Sequence, residues 1–359
     1  MMKKMTPISL SFIYAGCFLG AGFISGQELW QFFGSFGLWG YAGFLIAVSL
    51  FVVFGIMMLR LTQMTGYQEL ERIMVPWEKL HWLRRIAGVF TSVYLFGIVI
   101  VMAAGVGAMV QQLFDIPAWL GSAAYSIVLM IVALLGVSGM VSVFSLLIPV
   151  LVGATVVFGV LALCRFDPSR ILQIQPSNDN PLMSNWLVAA LTFVSYNILG
   201  SIGIMMPLGE HLGRDKRVVN FGILLGGIEL VFVAASIITS VVCLPGSESA
   251  QLPMVAVATQ ISRVAGGIYG VMLVMAMFTN ALGTLVGLCD HLEQRHTALQ
   301  KRRRLYIPAL VLASWLGSLF GFSDTVGVLF PIFGYISSVF VAAMVVHYFQ
   351  ARKKHSKNA

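Results

Sequence analysis

Charge is what this sequence has least of. Charged residues make up 10% of its 359 positions, against 58% hydrophobic. A soluble domain carries about 25% charged residues. A mean hydropathy of +0.91 excludes a water-soluble fold of this length, and long apolar runs mean helices rather than a barrel. Arg60, at the very end of the second, is the one Lys or Arg inside the long apolar runs. Cysteine is sparse: Cys17, Cys164, Cys243 and Cys289 make no metal-type spacing. Cys164 and Cys243 are expected near one membrane face, which leaves a disulfide between them open. The six histidines sit at or near segment ends and none pairs at a ligand spacing. No nucleophile–base pair or metal cluster is present, so the chain is not expected to be an enzyme. The net charge of +8 does not indicate nucleic acid. Its cations sit at the ends of apolar segments, where they report membrane topology.

What is present is a series of apolar segments. Ten spans can be read, at about 7–33, 38–61, 86–113, 121–137, 140–163, 185–211, 219–243, 264–288, 305–322 and 326–349. Each is near the roughly 20 residues needed to cross the hydrocarbon. The opening residues, Met1 to Met5 before an apolar run, have the outline of a signal peptide. That run is too long, carries Glu28 and leads straight into a second span, so it reads as a retained helix. With the N-terminus placed in the cytoplasm, only Arg165, Arg170 and Arg263 lie outside; the other 19 of the 22 Lys and Arg lie inside. That asymmetry puts both termini in the cytoplasm. The long loop Thr62–Arg85 falls inside and the long loop Leu244–Arg263 outside. Spans 2 and 7, which precede them, are partners if the chain is two five-helix repeats of opposite orientation. The expected organisation is residues 1–164 as the first repeat, 165–349 as the second, and 350–359 as a basic tail. Residues Met254–Arg263 read as a short amphipathic helix in the outer loop.

Glycine interrupts the two halves at equivalent places. Gly20-Ala21-Gly22 lies in span 1 and Gly200-Ser201-Ile202-Gly203 in span 6. Paired broken helices of this kind point to a binding site at the bilayer midplane. Unwinding at Leu19–Gly22 would free carbonyls for a cation and present amides to a carboxylate. Close packing by small residues is the other reading of such glycines. Around the first break the candidate substrate contacts are Gly20, Ala21, Gly22, Phe23, Ser25 and Gln27. Around the second they are Phe193, Tyr196, Asn197, Gly200 and Ser201. On span 8, Ala276, Thr279 and Asn280 follow i, i+3, i+4 spacing and share one helical face. That face offers either oxygen ligands for a hard cation or helix–helix hydrogen bonds. Two acids, Glu28 and Glu229, fall inside spans, where charge is costly and marks gates or proton sites.

At these residues the chain resembles transporters of the LeuT fold, in the amino acid–polyamine–organocation superfamily. The Gly20–Glu28 run GAGFISGQE resembles the YkvI-type membrane proteins. The resemblance implies an all-α membrane protein of ten helices in a 5+5 inverted repeat, with helices 1 and 6 broken. It makes the carbonyls of Gly16 and Leu19 sodium ligands, completed by Ala276, Thr279 and Asn280. Asn280 departs from the hydroxyl common at that position. Phe23 replaces the Asn that would form a second sodium site. Span 5, Met140–Cys164, lacks the Lys that serves proton-coupled relatives. The first break lacks the Asp of divalent-metal relatives.

The implied function is a sodium-coupled secondary transporter of a small amino acid, zwitterion or amine-like solute, working by alternating access. It is expected in a bacterial inner membrane and needs no cofactor beyond a Na+ ion. Its partners are the solute and the lipid bilayer, with a homodimer left open and no nucleic acid. The alternatives are a non-transporting sensor of the same fold, or a proton-coupled transporter using Glu28 or Glu229.

Overall fold

The computed structural model describes residues 6–66, 72–73, 75, 81–135, 141–212, 216–295, 299 and 302–358. Residues 67–71, 74 and 76–80 of the loop Thr62–Arg85, and Lys301, lie outside them. The described chain is helical apart from short connections. Helix α1 (Pro7–Phe18) begins where the Thr6 side chain accepts the Ser9 N–H at 3.2 Å and Pro7 occupies the first turn. It ends at Leu19 and Gly20. The Gly20 N–H turns to the Phe18 carbonyl at 2.7 Å instead of to Gly16. One turn of helix, α2 (Ala21–Ile24), follows, and then a bend at Ser25-Gly26. Gly26 has φ +85°, a left-handed conformation that side chains resist, and it starts α3 (Gln27–Phe32). The first apolar segment is therefore divided twice.

The long helices follow: α4 (Leu38–Thr65), α5 (His81–Phe114), α6 (Ala118–Leu135) and α7 (Val141–Arg165). After one turn, α8 (Arg170–Gln173), come α9 (Trp186–His211) and α10 (Lys216–Cys243). The outer loop contains α11 (Pro253–Ile261), which lies where the amphipathic helix was expected. The chain closes with α12 (Arg263–Arg295), α13 (Arg303–Ser318) and α14 (Phe322–Asn358). Among the described residues, six helices are long and apolar enough to cross a membrane: α4, α5, α6, α10, α12 and α14. Of the other expected spans, α1 stops at 12 residues where the first segment breaks and α13 has 16, while α7 and α9 run for 25 and 26. The basic stretch expected as a tail continues α14 as helix, with Arg352, Lys353 and Lys354 exposed on its last turns.

One expectation fails. The backbone of α9 is helical from Trp186 to His211, straight through Gly200–Gly203. Its small residues pack instead of unwinding. A Cβ at Gly200 would lie 2.5 Å from the Tyr94 hydroxyl of α5. The Ser201 hydroxyl is spent on the Ile198 carbonyl, one turn back, at 2.8 Å. A glycine in a helix lets a neighbour approach without breaking the ladder.

Packing sorts the helices into two groups. Helix α1 lies against α10, with glycines at the contact: a Cβ at Gly222 would meet Leu10 at 2.7 Å, and one at Gly226 would meet Tyr14 at 2.9 Å. The Tyr14 hydroxyl donates to the Phe51 carbonyl of α4 at 2.5 Å. Helix α9 packs on α4 and α14. On the other side, α5 packs on α12, α6 and α13. One continuous apolar core joins the two groups. Outward-facing side chains are apolar and exposed, among them Ile127 and Ile131 on α6 and Leu224, Ile228 and Phe232 on α10. A face of this kind suits lipid and not water.

Candidate functional site

The divided first segment folds back so that Glu28, in the first turn of α3, faces the gap it has just left. A Cβ on Gly22 would lie 2.6 Å from Glu28 Oε2, so only glycine leaves room for the carboxylate there. The other oxygen, Oε1, accepts a hydrogen bond from the Tyr196 hydroxyl of α9. The Asn197 side chain lies beside the same carboxylate. Glu28 is 5% exposed, and apart from Arg60 no Lys or Arg falls within the apolar runs around it. An acid so placed is a candidate functional group, because burial of charge is costly.

Aromatic rings surround the pair. Phe330 of α14 stacks on Tyr196 with centroids 4.9 Å apart and planes at 25°. Phe330 also approaches the position of a Gly22 Cβ at 3.5 Å. Tyr94 of α5 donates to the Tyr196 carbonyl at 3.1 Å and packs edge-on against Phe333 at 5.2 Å. Tyr94, Phe330 and Phe333 were not among the sequence candidates. Tyr94 carried a signal, since a tyrosine in mid-span must find a partner for its hydroxyl. Phe330 and Phe333 carried none.

The remaining candidates divide. Phe23 and Phe193 are fully buried core residues: Phe193 packs against Phe33 at 4.8 Å, Phe32 at 5.4 Å and Phe51 at 5.7 Å. Ser25 is a local cap, donating to the Gly22 carbonyl at 2.8 Å and accepting the Gln27 N–H at 3.3 Å. Gln27 reaches outward to the Ser323 hydroxyl at 2.7 Å, and Gln31 donates to the Ser323 carbonyl at 2.9 Å. These two amides pin α3 to the start of α14. Asn197 also donates to the Phe193 carbonyl at 3.0 Å. Ala21 and Gly203 are placed here only by their backbone.

The span 8 face does meet the first break. The Asn280 amide nitrogen is 3.4 Å from where a Gly20 Cβ would be. Thr279, however, spends its hydroxyl on its own helix, donating to the Met275 carbonyl at 2.8 Å and the Ala276 carbonyl at 3.1 Å. The Gly16 carbonyl has lost the Gly20 N–H that a continuous helix would give it. Glu229 lies elsewhere: half-buried on α10, it accepts a hydrogen bond from Ser11 of α1 at 2.8 Å. All four cysteines are free thiols.

Outside the site, three further contacts hold the α11 side together. Met254 of α11 donates its N–H to the Ser25 carbonyl at 2.9 Å, and the Tyr269 hydroxyl donates to the Ile24 carbonyl at 2.8 Å. The Gln112 amide of α5 bonds both backbone groups of Leu252, at 3.1 and 3.2 Å.

Comparison with known proteins now places the chain. It is 30% identical to protein YyaD of Bacillus subtilis (strain 168) over 341 residues, covering 92% of this chain and 94% of that one. The chain belongs to the YkvI/YyaD family. It is 26% identical over 349 residues to the membrane protein YkvI of the same organism, covering 96% of both. No family model matches it. Solved structures give this YkvI/YyaD member its fold. Inward-facing Mhp1 superposes with a TM-score of 0.65 at 17% identity, covering 97% of this chain and 77% of Mhp1. MhsT in complex with L-phenylalanine follows at 0.62 and 15%, covering 94% and 87%. A manganese transporter of Eremococcus coleocola gives 0.51 and 13%, covering 94% and 85%. The fold is that of the LeuT-type transporters.

Proposed function

We propose that this chain is a secondary transporter that moves a small organic solute across the cell membrane by alternating access. The observation that carries the reading is the divided first helix: its gap is lined by Gly22, by a buried acid, Glu28, and by Tyr196 from the other half of the chain. A gap in the backbone inside a membrane is tolerated only where it lines a cavity or pathway. In this reading the ten spans form two five-helix repeats of opposite orientation, with both termini in the cytoplasm. The repeats are then unequal, because only the first keeps an opened backbone. The group α1, α4, α9 and α10 moves against α5, α6, α12 and α13. The solute sits at the Gly20–Gly22 gap against Tyr196 and Asn197. That MhsT is a complex with L-phenylalanine supports a solute of amino acid size or smaller.

Sodium is the proposed coupling ion, held by the carbonyls of Gly16, Leu19 and Ala276 with the side-chain oxygens of Thr279 and Asn280. The donor set is all oxygen, as a hard cation requires. The Thr279 hydroxyl must turn from the Ala276 carbonyl to join it. Bound sodium would tie α1 to α12 and favour whichever state completes the site. The thermal stability of the purified protein should rise with sodium chloride over choline chloride at equal ionic strength. Thr279→Ala should remove the difference. Equal stability in the two salts, or a sodium response that survives the substitution, sinks the ion site.

A second reading rests on Glu28 itself. A membrane-buried carboxyl hydrogen-bonded to a phenol can carry a proton through the transport cycle, which would make the coupling ion a proton. A sensor of the same fold would bind the solute without moving it.

A further inference from the structure

Among the described residues Glu28 has no cationic partner. Tyr196 donates to one carboxylate oxygen, and Gly22 leaves the other oxygen facing the gap in the first helix. The rings of Tyr196, Phe330 and Tyr94 stand around it. The titratable groups that face the acid are two phenols, Tyr196 on α9 and Tyr94 on α5. The other elements around it bring no charged group to it among the described residues: Glu229 of α10 is bound to Ser11, Asp324 of α14 is exposed, and Cys17 of α1 bonds the Ile13 carbonyl. A buried carboxylate must be neutralised, by a proton or by a cation. One acid inside an aromatic surround is a receptor for an organic ammonium, through a charge-assisted hydrogen bond and cation–π attraction. Among the described residues a solute carboxylate finds no cationic side chain on the elements around Glu28. The helix after the gap, α2, is one turn long, and its Ile24 N–H is already bonded to the Gly20 carbonyl.

We propose that the site takes a protonated amine lacking a carboxylate, and that amine and proton compete for Glu28. The exchange balances without any further reactant. The neutral carboxyl releases its proton to water as the ammonium seats, and the ammonium N–H then donates to the carboxylate. Only one of the two positive charges occupies Glu28 at a time. The coupling is then the proton coupling of the second reading above, in place of sodium: an exchange, with a proton crossing in the direction opposite to the amine. The proposal rests on the solute site assigned above and deepens it.

The test is equilibrium binding to the purified full-length protein in weakly buffered detergent solution containing a pH indicator. The probes are n-butylamine, phenethylamine and putrescine, with butyrate, phenylacetate and phenylalanine as charge controls. At least one amine should bind with release of about one proton per amine. Its apparent affinity should fall by about tenfold per pH unit once the solution is acidic enough to keep Glu28 protonated. The controls should not bind. Glu28→Gln, checked for monodispersity, should lose both the binding and the proton release. The proposal is overturned if no amine binds at any pH at which amines stay protonated, if phenylalanine or phenylacetate binds as well as phenethylamine, or if binding releases no proton from the wild type. Proton-releasing amine binding with no flux in proteoliposomes would sink the transport reading alone. Counterflow of phenylalanine by the wild type that is lost in Glu28→Gln would sink this proposal alone.

Discussion

The Glu28–Tyr196 contact joins residues 168 positions apart, and each end was legible for its own reason. An acid inside an apolar run is expensive to bury, and a mid-span tyrosine needs a partner for its hydroxyl. That they would find each other was not legible, because no local pattern encodes a contact over that separation. Phe330, an apolar residue among many, was invisible for the same reason. Phe193 and Ser25, an aromatic and a hydroxyl beside a glycine break, were expected to bind; here Phe193 packs in the core and Ser25 caps a turn. Replacing Tyr196 by Phe keeps the ring against Phe330 and removes only the hydroxyl. The loss leaves a buried acid short of a donor and should cost about 1–3 kcal/mol. Unfolding of the purified variant in detergent would read this directly, and a change near zero would mean that Glu28 draws its support from elsewhere.

At the level of elements, glycine patterns carried two meanings that the sequence does not separate. Gly20 and Gly26 mark real departures from the helix, while Gly200 and Gly203 sit in an unbroken one. The difference lies in what each faces. Gly200 receives the Tyr94 hydroxyl from a neighbouring helix, and Gly26 must adopt φ +85° to turn the chain between α2 and α3. Helix positions were readable because apolar length is a strong signal, and α11 was readable from its amphipathic pattern. Gly26→Ala forces a side chain into the left-handed region, at a cost of about 1–2 kcal/mol. Its Cβ would also crowd Met254 at 3.1 Å. The thermal midpoint should fall and the α3 segment should become easier to cleave by protease. An unchanged midpoint would show that the bend relaxes freely.

Across the whole molecule, the side of the site next to α11 is drawn shut by neutral hydrogen bonds. Gln27 and Gln31 tie α3 to α14, the Met254 N–H ties α11 to the bend at Ser25, and Gln112 ties α11 to α5. Amide clasps can part and re-form at small net cost, since water replaces each lost partner when the side opens. The proposed alternating access asks this of a gate, and these clasps close the site on the α11 side. The central claim is that the gap in the first helix, with Glu28 and Tyr196, is where a solute is held and carried. Counterflow tests it most directly. Proteoliposomes are loaded with a solute chosen by a thermal-shift screen, and entry of the labelled solute is followed. Wild-type protein should accumulate label transiently, Glu28→Gln should not, and both should be equally well folded. Solute binding without any exchange in the wild type, or undiminished counterflow by Glu28→Gln, would contradict the account.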